Sequence, residues 1–183
     1  SNIDSNSKFI ILKKLLSLYE MEEELIIKYQ TGPVNSGESG KGSLHRKFWQ
    51  QLLPHIKEID LFKNIKPTKD HWLSSGSGVT GVSYTLVITK TCSRVELDLM
   101  TSSKDLNKSY FRQLFAHKVA IESVFGDSLE WQELPDKKMC RIKIELEGLD
   151  FFNQEEWHTW NDFFIENLPK FKNAFDPFLK ELK

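Results

Sequence analysis

Apolar and polar positions alternate, Val87 apart, through two neighbouring stretches of the chain. Val82, Tyr84, Leu86 and Ile88 alternate with Ser83, Thr85, Val87 and Thr89; past Thr91–Ser93, Val95, Leu97 and Leu99 alternate with Arg94, Glu96 and Asp98. A period of two with polar partners predicts a hairpin of antiparallel strands, one face buried and one wet. A helical stripe follows over 104–125, carried by Phe111, Leu114, Phe115, Ile121 and Phe125 and interrupted at Lys118. Ser102 or Ser103 is placed to cap its start, and Gly126 to end it in the left-handed conformation. The pattern then repeats in outline. Residues 129–134 read as a short strand and 139–147 as a second, with Cys140, Ile142, Ile144 and Leu146 alternating with Arg141, Lys143, Glu145 and Glu147. Asn153 and Glu156 form a capping-box pattern ahead of the stripe Trp157, Trp160, Phe164 and Leu168. Pro169 is expected to end that helix, leaving a short last helical piece broken near Pro177.

Upstream, residues 8–30 read as a helix with Phe9, Leu12, Leu15, Leu16, Tyr19, Ile26 and Tyr29 near helical spacing. Residues 31–42, rich in Gly, Ser and Pro, read as a linker. A second helix begins near Ser43, with Leu44, Phe48, Leu52, Ile56 and Ile59 on one face and Pro54 expected to kink or interrupt it. Residues 63–77 read mostly as loop, with Trp72 and Leu73 as anchors. The predicted organisation is thus an N-terminal helix (1–30), a linker (31–42) and one α+β domain (43–183). Its predicted architecture is a four-stranded antiparallel sheet built hairpin–helix–hairpin–helix, helices packed on one face, preceded by two N-terminal helices.

Composition narrows the function classes. Of 183 residues, 39% are hydrophobic and 12% aromatic, enough for an ordinary core. Lys+Arg 25 against Asp+Glu 26 give a net charge of -1, so no global field steers the chain to nucleic acid or anionic lipid. The charge is unevenly distributed, however. Residues 41–66 hold six bases and two acids, whereas residues 142–166 hold seven acids and one base. Cys92 and Cys140 form no Cys-x-x-Cys pair, which predicts reduced thiols in a cytoplasmic protein and no cysteine-based zinc site. No apolar run approaches the length of a membrane span, so no membrane partner is expected.

Motif by motif, the chemistry thins. The Gly37–Ser43 segment resembles a phosphate loop, but Asn35 stands where the first glycine belongs and Gly42 follows Lys41. None of the five histidines forms a short ligand pair, and neither metal nor cofactor is predicted. Glu96 and Asp98 share the wet face of a strand two residues apart, as acids do in D/E-x-K nuclease strands, but the lysine is missing. Arg141 and Lys143 on a neighbouring strand would balance them into a polar sheet face. Arg46, Lys47 and Lys57 are the candidate contacts to nucleic-acid phosphates.

Several strings recur in a recognisable order: Phe48-Trp49 after a basic pair, Trp72-Leu73 before a Gly/Ser turn, Arg94-Val95-Glu96-Leu97, Ile121-Glu122 through Phe125-Gly126, Leu129-Glu130-Trp131 and Trp157. Together they resemble a bacterial and archaeal domain of unknown function, DUF4268, over about residues 44–183. The resemblance implies a place downstream of a restriction-type nuclease domain, with the N-terminal helix and linker as connector. It carries no catalytic residues.

Three functional readings follow. The first is a non-catalytic accessory module associated with nucleic acid and working with a restriction-type nuclease or defence system. The second is a protein-interaction or homodimerisation module, motivated by the acidic Glu20–Glu24 stretch facing a basic helix on another copy. The third is a metal-dependent enzyme using Glu96 and Asp98.

Overall fold

The structure, a computed structural model, describes residues 40–182. The helix expected over 8–30 and most of the linker lie outside the described residues.

Helix α1 spans Lys41–Ile56 and buries Phe48, Trp49, Leu52, Leu53 and Ile56. Its first turn takes in Lys41 and Gly42, which the sequence places in the linker. Pro54 lies inside the helix without ending it. The proline deprives only the Gln50 carbonyl of its donor, one turn from the helix end, where water can replace it. A single 3₁₀ turn, Asp60–Phe62, follows.

The sheet has five strands, not four. Strand β1, Trp72–Gly76, falls in the stretch expected to be loop. It pairs antiparallel with β2, Val82–Ile88, from Trp72 opposite Val87 to Gly76 opposite Ser83. Its Leu73 is 2% exposed. Its Ser75 hydroxyl donates to the Leu61 carbonyl at 2.5 Å, which fastens the edge strand to the 3₁₀ turn. Strand β3, Cys92–Leu99, completes the expected hairpin with β2, and β4, Glu130–Gln132, and β5, Cys140–Glu147, form the second. The spatial order is β1-β2-β3-β5-β4, every pair antiparallel, which puts β3 at the centre.

The stripe over 104–125 is two helices rather than one. Helix α2, Lys104–Phe115, is capped by the Ser103 side chain, which accepts from the Leu106 N–H. Helix α3, Lys118–Phe125, ends at Gly126 with φ +92. The break between them coincides with the gap in the apolar stripe. Helix α4 runs Trp157–Leu179 without a stop at Pro169 or Pro177. A proline inside a helix costs about 3 kcal/mol. Beyond Pro169 the helix buries Phe171, Ala174, Phe175 and Leu179. At about 1.5–3 kcal/mol for each large apolar side chain, that burial outweighs the break.

Helices α2 and α4 lie on the apolar face of the sheet, and α1 and α3 pack against α4, around one continuous core. Phe48 of α1 lies at its aromatic centre, with ring centroids 5.5 Å from Phe151, 5.4 Å from Trp157 and 6.2 Å from Phe164. Trp157 and Trp160 are core residues.

Candidate functional site

Strand parity puts Arg94, Glu96 and Asp98 of β3 on the face opposite the core, beside Arg141, Lys143 and Glu145 of β5. On the central strand such side chains are hemmed in on both flanks. Glu96 is 1% exposed and Asp98 8%. One Glu96 oxygen accepts from Arg94 Nε at 2.5 Å, and the other is ion-paired with Arg141, whose Nε lies 2.9 Å away. Arg141 Nε donates its hydrogen bond to Asp98 Oδ1 at 3.5 Å. Burial, reinforced by Asp98, pushes the Glu96 carboxyl above its usual range, against the downward pull of the two guanidinium groups.

Lys143 belongs to a neighbouring cluster. It lies opposite Glu96 in register but pairs with Glu145 at 2.6 Å and with Glu130 of β4 at 3.1 Å. Burial works to lower its pKa; the hydrogen bonds to Glu145 and Glu130 carry it up instead. Thr85 of β2 donates to Ser74 of β1 at 3.1 Å, closing the β1 side. Every acid here except Glu130 is hemmed by the sheet, and each has a cation. A divalent cation would have to displace an arginine before it reached Glu96. No group of three or more His, Cys, Asp or Glu is placed to hold a metal ion among the described residues.

The second region is basic. Arg46, Gln50 and Leu53 of α1 and Lys57, its C-cap in helical conformation, lie within a narrow arc, because steps of four, three and four residues return to one helical face. Lys47 is turned away: its ammonium donates to Gln154 at 2.7 Å and lies 5.9 Å from the Trp157 ring. The structure thus keeps Arg46 and Lys57 on one stripe and separates Lys47 from them. Below Arg46, the helix side contributes Gln50, Leu53, Pro54 and Lys57 to an open groove of about 410 Å³. The facing wall is the loop Lys63–Pro67. Lys57, Lys63 and Lys66 are exposed, and no carboxylate among the described residues pairs with them. Glu58 and Asp60 lie outside the lining.

A third polar cluster escapes sequence reasoning altogether. Asn107 and Lys108 are buried on the inner side of α2, at the positions where the stripe leading to Phe111 calls for apolar residues. Lys108 Nζ donates to the carbonyls of Glu133, Leu134 (2.8 Å) and Met139 (3.0 Å), and lies 3.3 Å from Cys140 Sγ. Asn107 accepts from the Thr101 N–H at 2.7 Å and donates to the Lys138 carbonyl at 3.1 Å. Together they hold the β4–β5 turn against the helix. The signal in the sequence was the polar pair itself, three and four residues before Phe111.

No curated protein and no solved structure matches the chain. The family model described as Domain of unknown function (DUF4268) matches residues 44–179, from the early part of α1 to the end of α4. The five-stranded sheet and all four described helices fall almost wholly within that match, and the chain belongs to this family.

Proposed function

We propose that the domain is a non-catalytic accessory module that contacts nucleic acid, working beside a nuclease or another enzyme of nucleic-acid processing. The observation that carries this reading is the Arg46–Lys57 face of α1 with the lysines opposite it. It is a local surplus of positive charge on a chain whose net charge is -1. Among the described residues no partner charge neutralises it, as the acids and bases of the sheet face neutralise one another. Unpaired lysines at a surface gain from phosphates by releasing condensed counterions, so binding of this kind is sensitive to salt and tolerant of sequence.

Titration of labelled DNA with the full chain across a salt series tests the reading. Affinity is expected to fall steadily with salt and to weaken in Arg46→Glu. Absence of binding at low salt, or binding indifferent to both salt and Arg46→Glu, removes it.

A second reading, self-association, is favoured by α3. Val119 is 83% exposed and Val124 60%, with Phe115 just before the helix at 47%, large apolar side chains that a second copy would cover. Light scattering at high protein concentration decides it, and a monomer rejects it. Among the described residues, no helix is long and apolar enough to cross a membrane.

A further inference from the structure

We propose that the groove between α1 and the Lys63–Pro67 loop seats a single strand of nucleic acid, with phosphates on Lys57, Lys63 and Lys66 and the bases turned onto the groove floor. The inference rests on the nucleic-acid reading above and narrows it to one substrate class.

The groove has two kinds of lining. Three ammonium groups stand on it, one from the helix side and two from the loop side. Between them Leu53, Pro54, Ile65 and Pro67 supply apolar surface. A duplex presents a convex, hydrated sugar-phosphate surface and hides its bases in the stack, so it would satisfy the lysines and leave the apolar floor against water. A single strand has both chemistries accessible at each residue: phosphates for the ammonium groups and base faces for the floor. The volume of about 410 Å³ lies in the range of small-ligand sites, roughly 300–1,000 Å³, and suits a segment of strand rather than a helix of two.

Lysine chemistry points the same way. An ammonium donates from any of three rotatable hydrogens, which suits tetrahedral phosphate oxygens, and the lining holds lysines without an arginine fork. The exposed amides of Gln50 and Asn64 provide donors and acceptors for base edges without fixing one base. The floor has prolines and aliphatic side chains and no aromatic ring, so sequence preference is expected to be slight.

Fluorescence anisotropy on the full chain tests this with three probes: labelled oligothymidine, a duplex of the same length, and polyglutamate as competitor. The single strand is expected to bind more tightly than the duplex and to resist displacement by polyglutamate. Its log affinity is expected to fall with log salt at a slope of about −2, from three phosphates at about −0.7 each. Lys63→Glu with Lys66→Glu is expected to bring that slope to about −0.7 or to abolish binding. Both lysines are exposed, and an unchanged urea midpoint confirms that the double variant folds. Duplex binding as tight as or tighter than the single strand, unaffected by the double variant but weakened by Arg46→Glu, overturns this inference and leaves the broader reading standing. Displacement by polyglutamate overturns it in favour of an acidic protein partner. Failure of both nucleic acids to bind at low salt removes both readings.

Discussion

Arg141 sits opposite Asp98 in the β3–β5 register, yet its Nε is 2.9 Å from Glu96 and 3.5 Å from Asp98. Its closer contact is the diagonal one. The side chain that register assigns to Glu96, Lys143, is held instead by Glu145 and Glu130. The centre of the sheet therefore carries an acid gripped by two guanidinium groups, both about a quarter exposed or less.

The protonation of Glu96 links this arrangement to stability. Its carboxyl is raised above the ordinary glutamate value of 4.5, so the folded state holds the proton more tightly than the unfolded chain. Its contribution favours folding below that value and is lost as pH rises through the raised one. Glu96→Gln cannot ionise. Its stability relative to the parent is expected to improve as pH climbs from about 4.5 toward neutrality, read from urea midpoints along a pH series. A difference independent of pH, or one that moves the other way, contradicts the assignment.

Lys108 is expected to be structural. Lys108→Met keeps the aliphatic stem but strands the carbonyls of Glu133, Leu134 and Met139. Unsatisfied buried acceptors cost about 1–3 kcal/mol each, partly relieved as the turn opens to water, so a loss of about 2–4 kcal/mol is expected. Hydrogen exchange should show faster opening in the 133–139 turn than in the β2–β3 hairpin.

Gly81 has φ +75, and a Cβ there would lie 2.6 Å from the Thr101 Cα and 2.9 Å from its nitrogen. Backbone cannot swing aside as a flexible side chain does, and Thr101 is further fixed by Asn107. Strain and overpacking together predict a loss of about 2–5 kcal/mol for Gly81→Ala. Gly76→Ala, with open space at its Cβ, is expected to stay within about 0.5 kcal/mol of the parent. Thermal or urea unfolding of the two variants side by side is the measurement.

Pro169 interrupts the hydrogen bonding of a helix that continues for ten residues beyond it. Pro169→Ala restores a donor toward the Ile165 carbonyl and is expected to stabilise the protein by about 1–3 kcal/mol. The gain is less than the full proline penalty if alanine also loosens the unfolded chain. A lower urea midpoint would mean that the ring itself is packed.

The sequence made the hairpin of β2 and β3 legible because alternation persisted across both strands, with every partner but Val87 polar in the right phase. The same parity brought Glu96, Asp98, Arg141 and Lys143 to one face. It could not choose their partners, since a diagonal contact depends on side-chain reach and twist rather than on register. Strand β1 was hidden because Trp72-Leu73-Ser74-Ser75-Gly76 has no β-branched residue and draws its order from pairing with β2 and from the Leu61 carbonyl. Helix α4 was hidden because the local signal of Pro169 is strong and the burial that overrides it is tertiary. The lysine groove joins two segments that are adjacent in sequence, but only the turn at Asp60–Phe62 folds one over the other.

The ring of Phe48 finds its neighbours at Phe151, Trp157, Trp160 and Phe164, more than a hundred residues downstream. A nascent chain that has emerged only as far as β5 therefore carries α1 without the downstream rings that close over Phe48. Maturation of this body waits for residues 151–164 to leave the ribosome, and until then the Phe48 side of α1 is a surface a chaperone would shield.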